Sequence, residues 1–473
     1  MKALLAHPLV ARQPSPRGLD ELLMQGRLVG PRTAIDGVEA VEPGALWRVT
    51  AAQSERRRYF HALEQIDPAR IIAAAREDHE LAVGRVAAVL AESVALHLAS
   101  DVPLATMCSG GIDSSLVTAY ARDARPDLRA YVADTGGADA EGDQAERVGR
   151  HLGIPVTRVP IDAASFLRLW PVVSWHLDAP MFHFSDAALL TVARRVRNDG
   201  VRVLLTGEGA DELFGGYIWQ QGTYRLWRAF HSPLRRWRQS RGRRRREAAQ
   251  FALGPLETDF ARREGTLRFR LLTLLDPDTE LLGARFLRLL APVKPPADRA
   301  FLAHCLEDLY RHLQGLLQRH DRLGMAASIE LRVPFLGSGM IDLGLHAPRR
   351  WKLHCGTSKW VLRKAAARRL PPEVVRAPKK GFPMPVAFGR GAEALLRGGV
   401  LAELMGWSPA TLEELLLLAP HDPAGLRRLA SIEIWGRVTL RREDPQELGA
   451  RLAATAGCQG SVQPGSRAPR PDG

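Results

Sequence analysis

Cysteine is scarce in this sequence, whose 473 residues include only Cys108, Cys305, Cys355 and Cys458. Their wide spacing excludes a paired-cysteine metal site and a disulfide framework, and it suits a reducing cytoplasm. The sequence lacks a run of eighteen apolar residues, so we predict no membrane-spanning helix. The apolar stretch after Met1 is too short for a signal peptide, and we expect a cytoplasmic globular protein of two or three domains.

Acidic residues are outnumbered, because 52 aspartates and glutamates face 66 lysines and arginines, and the net charge is +14. Part of this excess lies in a basic insertion at residues 232–247. Such a run could bind nucleic acid or an acidic peptide. Because no nucleic-acid-binding motif accompanies it, we interpret the run as a solvated insertion and expect no nucleic-acid partner.

The first 80 residues differ in pattern from the rest of the chain. Turn signals at Gly30-Pro31 and Pro43-Gly44, followed by an alternating stretch at residues 45–50, are typical of a small β-rich unit. We assign this unit to residues 1–60. Residues 61–80 predict a polar linker.

Apolar periodicity predicts an α/β domain over residues 81–440, which begins with an amphipathic helix at residues 81–99. A first buried strand ends at Cys108. Further strands are predicted at 128–133, 155–160 and 201–205, and helices at 143–152 and 186–198. Repeated β–α units indicate a parallel sheet flanked by helices, with ligands at the carboxyl ends of the strands. After residue 300 the pattern is mostly helical, including 359–370, and residues 455–473 predict a disordered tail.

A glycine-rich loop, Ser109-Gly110-Gly111-Ile112-Asp113-Ser114-Ser115, follows the first strand and opens a helix. Glycines let the backbone approach an anion, and the hydroxyls and amides of a helix N-terminus favour negative charge. Asp113 could hold magnesium against phosphate oxygens. The loop lacks the lysine of the Gly-x-x-x-x-Gly-Lys-Ser/Thr phosphate loop, which excludes that motif. A serine-capped turn without a ligand is the alternative.

A second glycine-rich segment, residues 206–217, follows the last of these strands. Its carboxylates, Glu208, Asp211 and Glu212, could ligate magnesium or accept a proton. Because both segments follow parallel strands, we expect them at the same edge of the sheet. An acidic turn without a function is the alternative, and the neighbouring anion-type loop makes it the less favoured one.

With these two loops, the chain resembles the asparagine synthetase family over about residues 17–395. Residues 109–115 resemble the pyrophosphatase loop of the family's ATP-binding domain, and residues 205–217 resemble a second signature. Three further signatures are matched in order, at residues 321–336, 359–364 and 379–385. The resemblance implies the α/β fold of PP-loop ATP pyrophosphatases, which are adenine nucleotide alpha hydrolase-like, with a parallel sheet flanked by helices and a mostly helical C-terminal part.

The resemblance also implies the reaction. ATP would adenylate a carboxylate, preferably the side chain of aspartate, and an amine would attack the acyl-adenylate to form an amide, giving AMP and pyrophosphate. Glu208 matches the glutamate that accepts a proton from the amine. Lys379 matches the lysine that stabilises charge on the transferring phosphorus, with Lys380 as the alternative. Glu330 and Arg322 are assigned to the acceptor pocket, with a buried structural salt bridge as the alternative for either.

ATP and Mg²⁺ are therefore the implied cofactors. Asp113 and Asp211 match the family's magnesium ligands. The residues that match its nucleotide contacts are Cys108, Ser109, Gly110, Gly111, Asp113, Ser114, Ser115, Val132, Thr206 and Gly207. Cys108 and Val132 fall where family members line the adenine and ribose, largely through backbone atoms.

Full asparagine synthetases begin with a glutaminase domain whose nucleophile is an N-terminal cysteine, and residues 1–60 resemble only the tail of such a domain. Lys2 follows Met1, and the first cysteine is Cys108. We therefore expect that the chain does not hydrolyse glutamine. Either the gene prediction starts late, or the enzyme uses free ammonia, an amine within its substrate or a separate glutaminase.

Two classes of ligase stay open. The first joins aspartate and ammonia. The second, which includes lasso-peptide macrolactam synthetases and β-lactam synthetases, uses an amine within its substrate, such as a precursor peptide. Glu208 favours the first class, because β-lactam synthetases carry tyrosine at that place. The missing glutaminase and the basic insertion favour the second. A non-enzymatic scaffold is disfavoured, because the motif carboxylates and lysines are all present.

Overall fold

A computed structural model describes residues 1–26, 28, 30–136, 141–231, 282–378, 393–418 and 422–456. Its strands, in chain order, are β1 (Ala45–Val49), β2 (Ser54–Arg58), β3 (Leu104–Met107), β4 (Ala130–Asp134), β5 (Val156–Pro160), β6 (Val203–Leu205), β7 (Glu330–Arg332), β8 (Leu353–His354) and β9 (Thr357–Ser358). Five of them form a parallel sheet in the order β5-β4-β3-β6-β7. The pairs β1–β2 and β8–β9 form small antiparallel hairpins.

Helices cover both faces of the parallel sheet and extend well beyond it. In chain order they are α1 (Lys2–Ala6), α2 (Pro16–Gln25), α3 (Pro68–Ala74), α4 (His79–His97), α5 (Ile112–Ala124), α6 (Glu141–Leu152), α7 (Ala163–Leu177), α8 (Ser185–Asn198), α9 (Ala210–Phe214), α10 (Ile218–Phe230), α11 (Leu282–Leu289), α12 (Pro296–Glu307), α13 (Leu313–Ala326), α14 (Ser338–His346), α15 (Arg349–Lys352), α16 (Trp360–Ala366), α17 (Pro372–Arg376), α18 (Leu401–Met405), α19 (Pro409–Leu418), α20 (Pro423–Trp435) and α21 (Pro445–Thr455).

The interior strand β6 shows why the sheet is covered on both sides. All three of its residues are buried. Val203 and Leu205 enter the core that contains Leu116 of α5, whereas Leu204 points to the opposite face and joins Val192 of α8. Each such apolar side chain contributes about 1.5–3 kcal/mol on burial. Burial on both faces therefore holds β6 in the sheet although it is only three residues long, and this positions the loop that follows Leu205.

The predicted α/β fold with a parallel sheet flanked by helices is confirmed. The predicted strands and helices agree with the observed ones to within a few residues, and the described part of the chain after residue 300 is mostly helical. The sequence pattern missed β7, which is three residues long and too short to show a period. It also missed α7, whose interior contains Pro171.

The N-terminal and linker regions contain more helix than their patterns suggest. Residues 61–80 include a 3₁₀ turn at Ala62–Gln65, all of α3 and the start of α4. The basic insertion at 232–247 and residues 457–473 of the predicted tail lie outside the described residues. The domain boundaries stay predictions. Within the described ranges, none of the helices has the length and hydropathy needed to cross a membrane.

Candidate active site

The glycine-rich loop between β3 and α5 is compact because helix α6 packs directly behind it. Gly110 has a φ of 75°, and a Cβ at this position would lie 2.4 Å from the Cβ of Gln144. Only glycine combines this backbone conformation with this close approach. Gly111 then caps α5 in an extended conformation. The loop therefore delivers the chain to the N-terminus of a thirteen-residue helix.

Two serine side chains hold the loop in this shape. The backbone N–H of Ser109 donates to Ser114 Oγ at 3.1 Å, and the two hydroxyl oxygens lie 3.1 Å apart. Ser114 Oγ also donates to the carbonyl of Gly111 at 3.3 Å. Hydroxyls and backbone amides thus gather at a helix N-terminus, where the helix dipole favours an anion.

The loop after β6 packs directly against this helix N-terminus. A Cβ on Gly207 would lie 2.6 Å from the backbone nitrogen of Ser114, so a larger residue would push the two loops apart. Gly209 has a φ of 90° and turns the chain into the short helix α9. This turn carries Glu208 and Asp211 to the carboxyl edge of the sheet, as the parallel strands predict.

Lys359 joins the two loops. Its buried ammonium lies 2.5 Å from Asp113 Oδ2 and 2.6 Å from Asp211 Oδ1. Lys359 itself has a φ of 50° and caps α16. The two carboxylates predicted to hold magnesium therefore converge on one point, where a cationic group already lies.

This convergence suits a magnesium ion bound together with a phosphate ligand. Magnesium is usually held by one or two carboxylates, with substrate phosphates and water completing its six ligands. Asp113 and Asp211 supply two such carboxylates beside an anion-favouring helix terminus. Among the described residues, no group of three or more histidines, cysteines or acidic residues is arranged to bind a metal by itself. The geometry therefore fits a metal that arrives with its nucleotide.

A cleft of about 270 Å³ opens along this edge of the sheet. Residues of the two glycine-rich loops form one wall of the cleft. Residues in α8 and α13, or just before these helices, form the other wall. The lining residues are Met107, Ser109, Gly111, Asp113, Ser114, His183, Ser185, Gly207, Glu208, Asp211, Tyr217, His312, Leu316 and Arg319. Carboxylates, hydroxyls and imidazoles thus face a common space.

Glu208 lies in this cleft with its side chain about one-third exposed, and His320 of α13 lies behind it. Glu208 Oε1 is 3.5 Å from His320 Nε2, and the imidazole is almost fully buried. The other ring nitrogen, Nδ1, donates to the carbonyl of Leu316 at 2.8 Å. Because a carbonyl can only accept, this bond places a proton on Nδ1.

Arg319, from the same helix, is neutralised within the cleft wall. Its guanidinium contacts the buried carboxylate of Asp186 and donates to Ser185 Oγ at 3.1 Å. Burial raises the pKa of Asp186, and the neighbouring Arg319 opposes that shift. The pair therefore shapes the wall and adds little net charge to it.

A smaller cavity of about 110 Å³ lies on the other side of the glycine-rich loop. It shares Ser109, Gly111 and Asp113 with the main cleft, and its lining adds the cations Lys359 and Arg363 and the carboxylate of Glu141. Arg363 is held in place by the carbonyl of Ser358 at 2.9 Å. The smaller cavity therefore places Lys359 and Arg363 beside the loop, whereas Glu208 and Asp211 line the main cleft.

Burial keeps two groups close to the cleft residues protonated, the carboxyl group of Glu212 and the thiol of Cys108. Burial raises the pKa of Glu212 to about 8, and the nearby carboxylates of Asp211 and Glu208 add to the shift. Tyr217 donates its hydroxyl proton to Glu212 Oε1 at 2.6 Å. Burial also raises the pKa of the Cys108 thiol, so Cys108 is placed to pack and not to act as a thiolate nucleophile.

The structure gathers about half of the sequence-predicted site residues around the cleft. Those that line it are Ser109, Gly111, Asp113, Ser114, Gly207, Glu208 and Asp211. Four others lie buried beneath it, namely Cys108, Ser115, Val132 and Thr206. Gly110 packs against α6. Lys379 and Lys380 lie outside the described residues.

Glu330 and Arg322 lie away from the cleft lining. Glu330 begins β7, where it pairs with Val203 at the start of β6, so it stands at the edge of the sheet opposite the two loops. Its exposed carboxylate accepts from Arg332 at 2.8 Å. Arg322 contacts the carbonyl of Leu177 and lies 3.7 Å from Asp178. Both residues thus form ion pairs, but these are not the buried salt bridges of the alternative interpretation, because Glu330 is about 59% exposed and Arg322 about 36%.

Several cleft residues escaped the sequence analysis. His183, Ser185 and His312 stand outside any recognised motif, and only folding brings them to the cleft. Lys359 stood within a matched signature but had no assigned contact. The sequence signal that could have identified Lys359 is its place at the start of that signature, one residue before α16 begins.

The fold and the two loops define an α/β protein with a nucleotide-type site at the carboxyl edge of its parallel sheet. Residues 85–418 match the asparagine synthase family, which is about seven-tenths of the chain. The chain therefore belongs to the asparagine synthase family, and the predicted family resemblance is confirmed.

Individual relatives agree with this membership. The chain is 30% identical over 408 residues to "Putative asparagine synthetase [glutamine-hydrolyzing]" of Mycobacterium tuberculosis strain H37Rv, which covers 81% of this chain and 58% of that protein. It is 28% identical over 371 residues to asparagine synthetase [glutamine-hydrolyzing] 1 of Bacillus subtilis, covering 75% and 57%. The chain thus spans less than two thirds of the length of these relatives.

Proposed function

We propose that this protein is an ATP-dependent ligase that adenylates a carboxylate, releases pyrophosphate and joins the acyl group to an amine. The observation that carries the proposal is the convergence of Asp113 and Asp211 on Lys359, beside the glycine-rich helix N-terminus. Glu208 lies on the same cleft and supplies a base. The names of the relatives support a ligase of the asparagine synthetase type.

Residues on both sides of the glycine-rich loop would bind the nucleotide. Ser109, Ser114 and the amides at the start of α5 offer donors to phosphate oxygens. Lys359 and Arg363, which line the smaller cavity, would hold the pyrophosphate portion. Asp113 and Asp211 would hold magnesium, which when bound neutralises phosphate charge. Lys379 is proposed to stabilise charge on the transferring phosphorus.

Glu208 is proposed as the general base of the second half-reaction. The amine nitrogen attacks the acyl carbon, the C–N bond forms, and the C–O bond to AMP breaks. The attacking nitrogen loses a proton, which Glu208 accepts. The carboxylate lies in the cleft and is partly exposed, so a substrate amine can reach it. A base within hydrogen-bond reach of the proton is the geometric requirement for this role.

We propose the aspartate side chain as the acceptor and ammonia as the amine. The support is Glu208, which stands where a β-lactam synthetase would carry tyrosine, and the relatives named as asparagine synthetases. A separate glutaminase could supply the ammonia. An amine within the substrate, as in macrolactam formation, is the alternative outcome of the test.

The proposal is tested by incubating the protein with ATP, magnesium, ammonia and ¹⁸O-labelled aspartate. If the carboxylate is adenylated, one ¹⁸O atom appears in AMP when the amide forms, and Asp113→Asn abolishes it. A set of other ¹⁸O-labelled carboxylates, including peptides with their own amine, identifies the acceptor. AMP free of ¹⁸O with every acceptor that stimulates turnover would overturn the acyl-adenylate.

A further inference from the structure

His320 is a buried histidine at the edge of the cleft, and the reaction proposed above leaves it without a role. Its side chain is about 5% exposed, whereas Glu208 beside it is about 32% exposed. Leu316 and Arg319 from the same helix line the cleft. Helix α13 therefore contributes residues to the cleft wall beside Glu208. From this helix, His320 Nε2 lies 3.5 Å from Glu208 Oε1.

We propose that His320 is a positioning residue for Glu208 in amide formation, an inference that rests on the proposed function. The bond from Nδ1 to the carbonyl of Leu316 fixes the plane of the ring. In the tautomer that this bond selects, Nε2 is a hydrogen-bond acceptor. That acceptor points at the carboxyl group that takes the amine proton.

The arrangement matches the proton balance of the second half-reaction. Before attack, Glu208 is a carboxylate at the edge of the cleft. After attack, the proton lost by the amine lies on Glu208, and the new O–H donates to His320 Nε2. The ring thus holds the carboxyl group in one orientation and stabilises its protonated form. Glu208 Oε1 and His320 Nε2 lie 3.5 Å apart, and catalytic hydrogen bonds often tighten only in the transition-state complex.

Two substitutions at His320 separate positioning from packing. His320→Asn keeps an amide N–H near the carbonyl of Leu316 but removes the group that faces Glu208. His320→Gln extends an amide group toward Glu208. His346 is a matched control, because it is equally buried and its Nδ1 makes the same bond to the carbonyl four residues earlier, at 2.8 Å. Its Nε2 accepts from the backbone N–H of Asp67, the residue that precedes α3, away from the cleft.

The first experiment compares two half-reactions in each variant. We expect His320→Asn to lower kcat for amide formation by about tenfold or more, because a misplaced general base loses part of a typical 10²–10⁴-fold effect. Acceptor-dependent ATP–pyrophosphate exchange should stay close to wild type, since it precedes proton removal. His320→Gln should recover part of the amide-forming rate, and His346→Gln should leave both rates unchanged. Equal loss in both half-reactions, or no rescue by glutamine, would overturn a positioning role.

The second experiment does not need a turnover assay. In ¹⁵N-histidine-labelled protein, NMR should show His320 protonated at Nδ1, with its resonances assigned by their loss in His320→Gln. Glu208→Gln should move the His320 Nε2 resonance and leave that of His346 in place. If the His320 resonance does not respond to Glu208→Gln, the contact is absent and the inference fails. Absence of amide formation in the wild type, with the resonance shifted as expected, would overturn the proposed function alone.

Discussion

The buried triad of Lys359, Asp113 and Asp211 makes the sharpest prediction on stability. The Lys359 side chain is about 3% exposed, and its ammonium lies 2.5 and 2.6 Å from the two carboxylates. Each attraction is about 6–7 kcal/mol at an effective dielectric constant of about 20, and desolvation offsets much of it. Removing one partner from a buried pair costs about 3–5 kcal/mol, because the remaining charges are left uncompensated. Lys359→Met should therefore lower the free energy of unfolding by about this amount.

A double-variant cycle distinguishes lost charge from lost packing. Adding Asp113→Asn to Lys359→Met removes one of the two opposed carboxylates, so the double variant should be more stable than the sum of the single changes, by about 0.5–3 kcal/mol. Lys352→Met is the control, because Lys352 is equally buried but donates to the carbonyl of Gly344 at 2.9 Å. It should show no coupling to Asp113→Asn. The assay is denaturant unfolding followed by tryptophan fluorescence. A Lys359→Met protein as stable as wild type, or strictly additive effects, would refute the triad as described.

Three further predictions concern catalysis, the loop contact and pH. Glu208→Gln should keep ATP–pyrophosphate exchange and lower amide formation by about 10²–10⁴-fold, whereas loss of both would remove Glu208 from the base role. Gly207→Ala should lower the melting temperature and weaken the protection that ATP gives against proteolysis, because its Cβ would lie 2.6 Å from the Ser114 nitrogen. Gly222→Ala is the control, since a Cβ there meets nothing within 4 Å. Equal behaviour of the two variants would contradict the close approach at Gly207. Burial lowers the pKa of His304 from 6.5 to about 3, so between these two pH values only the unfolded chain binds a proton at this residue. The contribution of His304 to the free energy of unfolding is therefore intact above pH 6.5, and it falls by about 1.4 kcal/mol per pH unit below that value. His304→Gln should therefore lose less stability than wild type between pH 7 and pH 5 (about two pH units) in urea titrations, and parallel losses would contradict the prediction.

Local patterns were enough to predict four of the five strands of the sheet and the two loops. The glycines at 110 and 207 mark places where backbone packs against backbone, and glycine is what such approaches require. The apolar strands before them end at the carboxyl edge of a parallel sheet, so the position of Asp113 and Asp211 at one site followed from chain order.

Long-range contacts were beyond the reach of the sequence. Lys359 lies 246 residues from Asp113, and no local periodicity reports that their side chains meet. His320 looks like an ordinary helical residue until folding places it behind Glu208. Glu330 shows the converse, because the register of a three-residue strand decides which edge of the sheet it occupies. A strand so short carries too little pattern to fix that register.

The identity of the nucleotide products tests the central claim most directly. Purified protein is incubated with magnesium, ATP, an accepted carboxylate and an amine, and the nucleotide and phosphate products are separated and quantified. The account predicts AMP and pyrophosphate in equal amounts, with both lost in Asp113→Asn and in Asp211→Asn. Formation of ADP and inorganic phosphate, or of AMP at the wild-type rate in either variant, would contradict it.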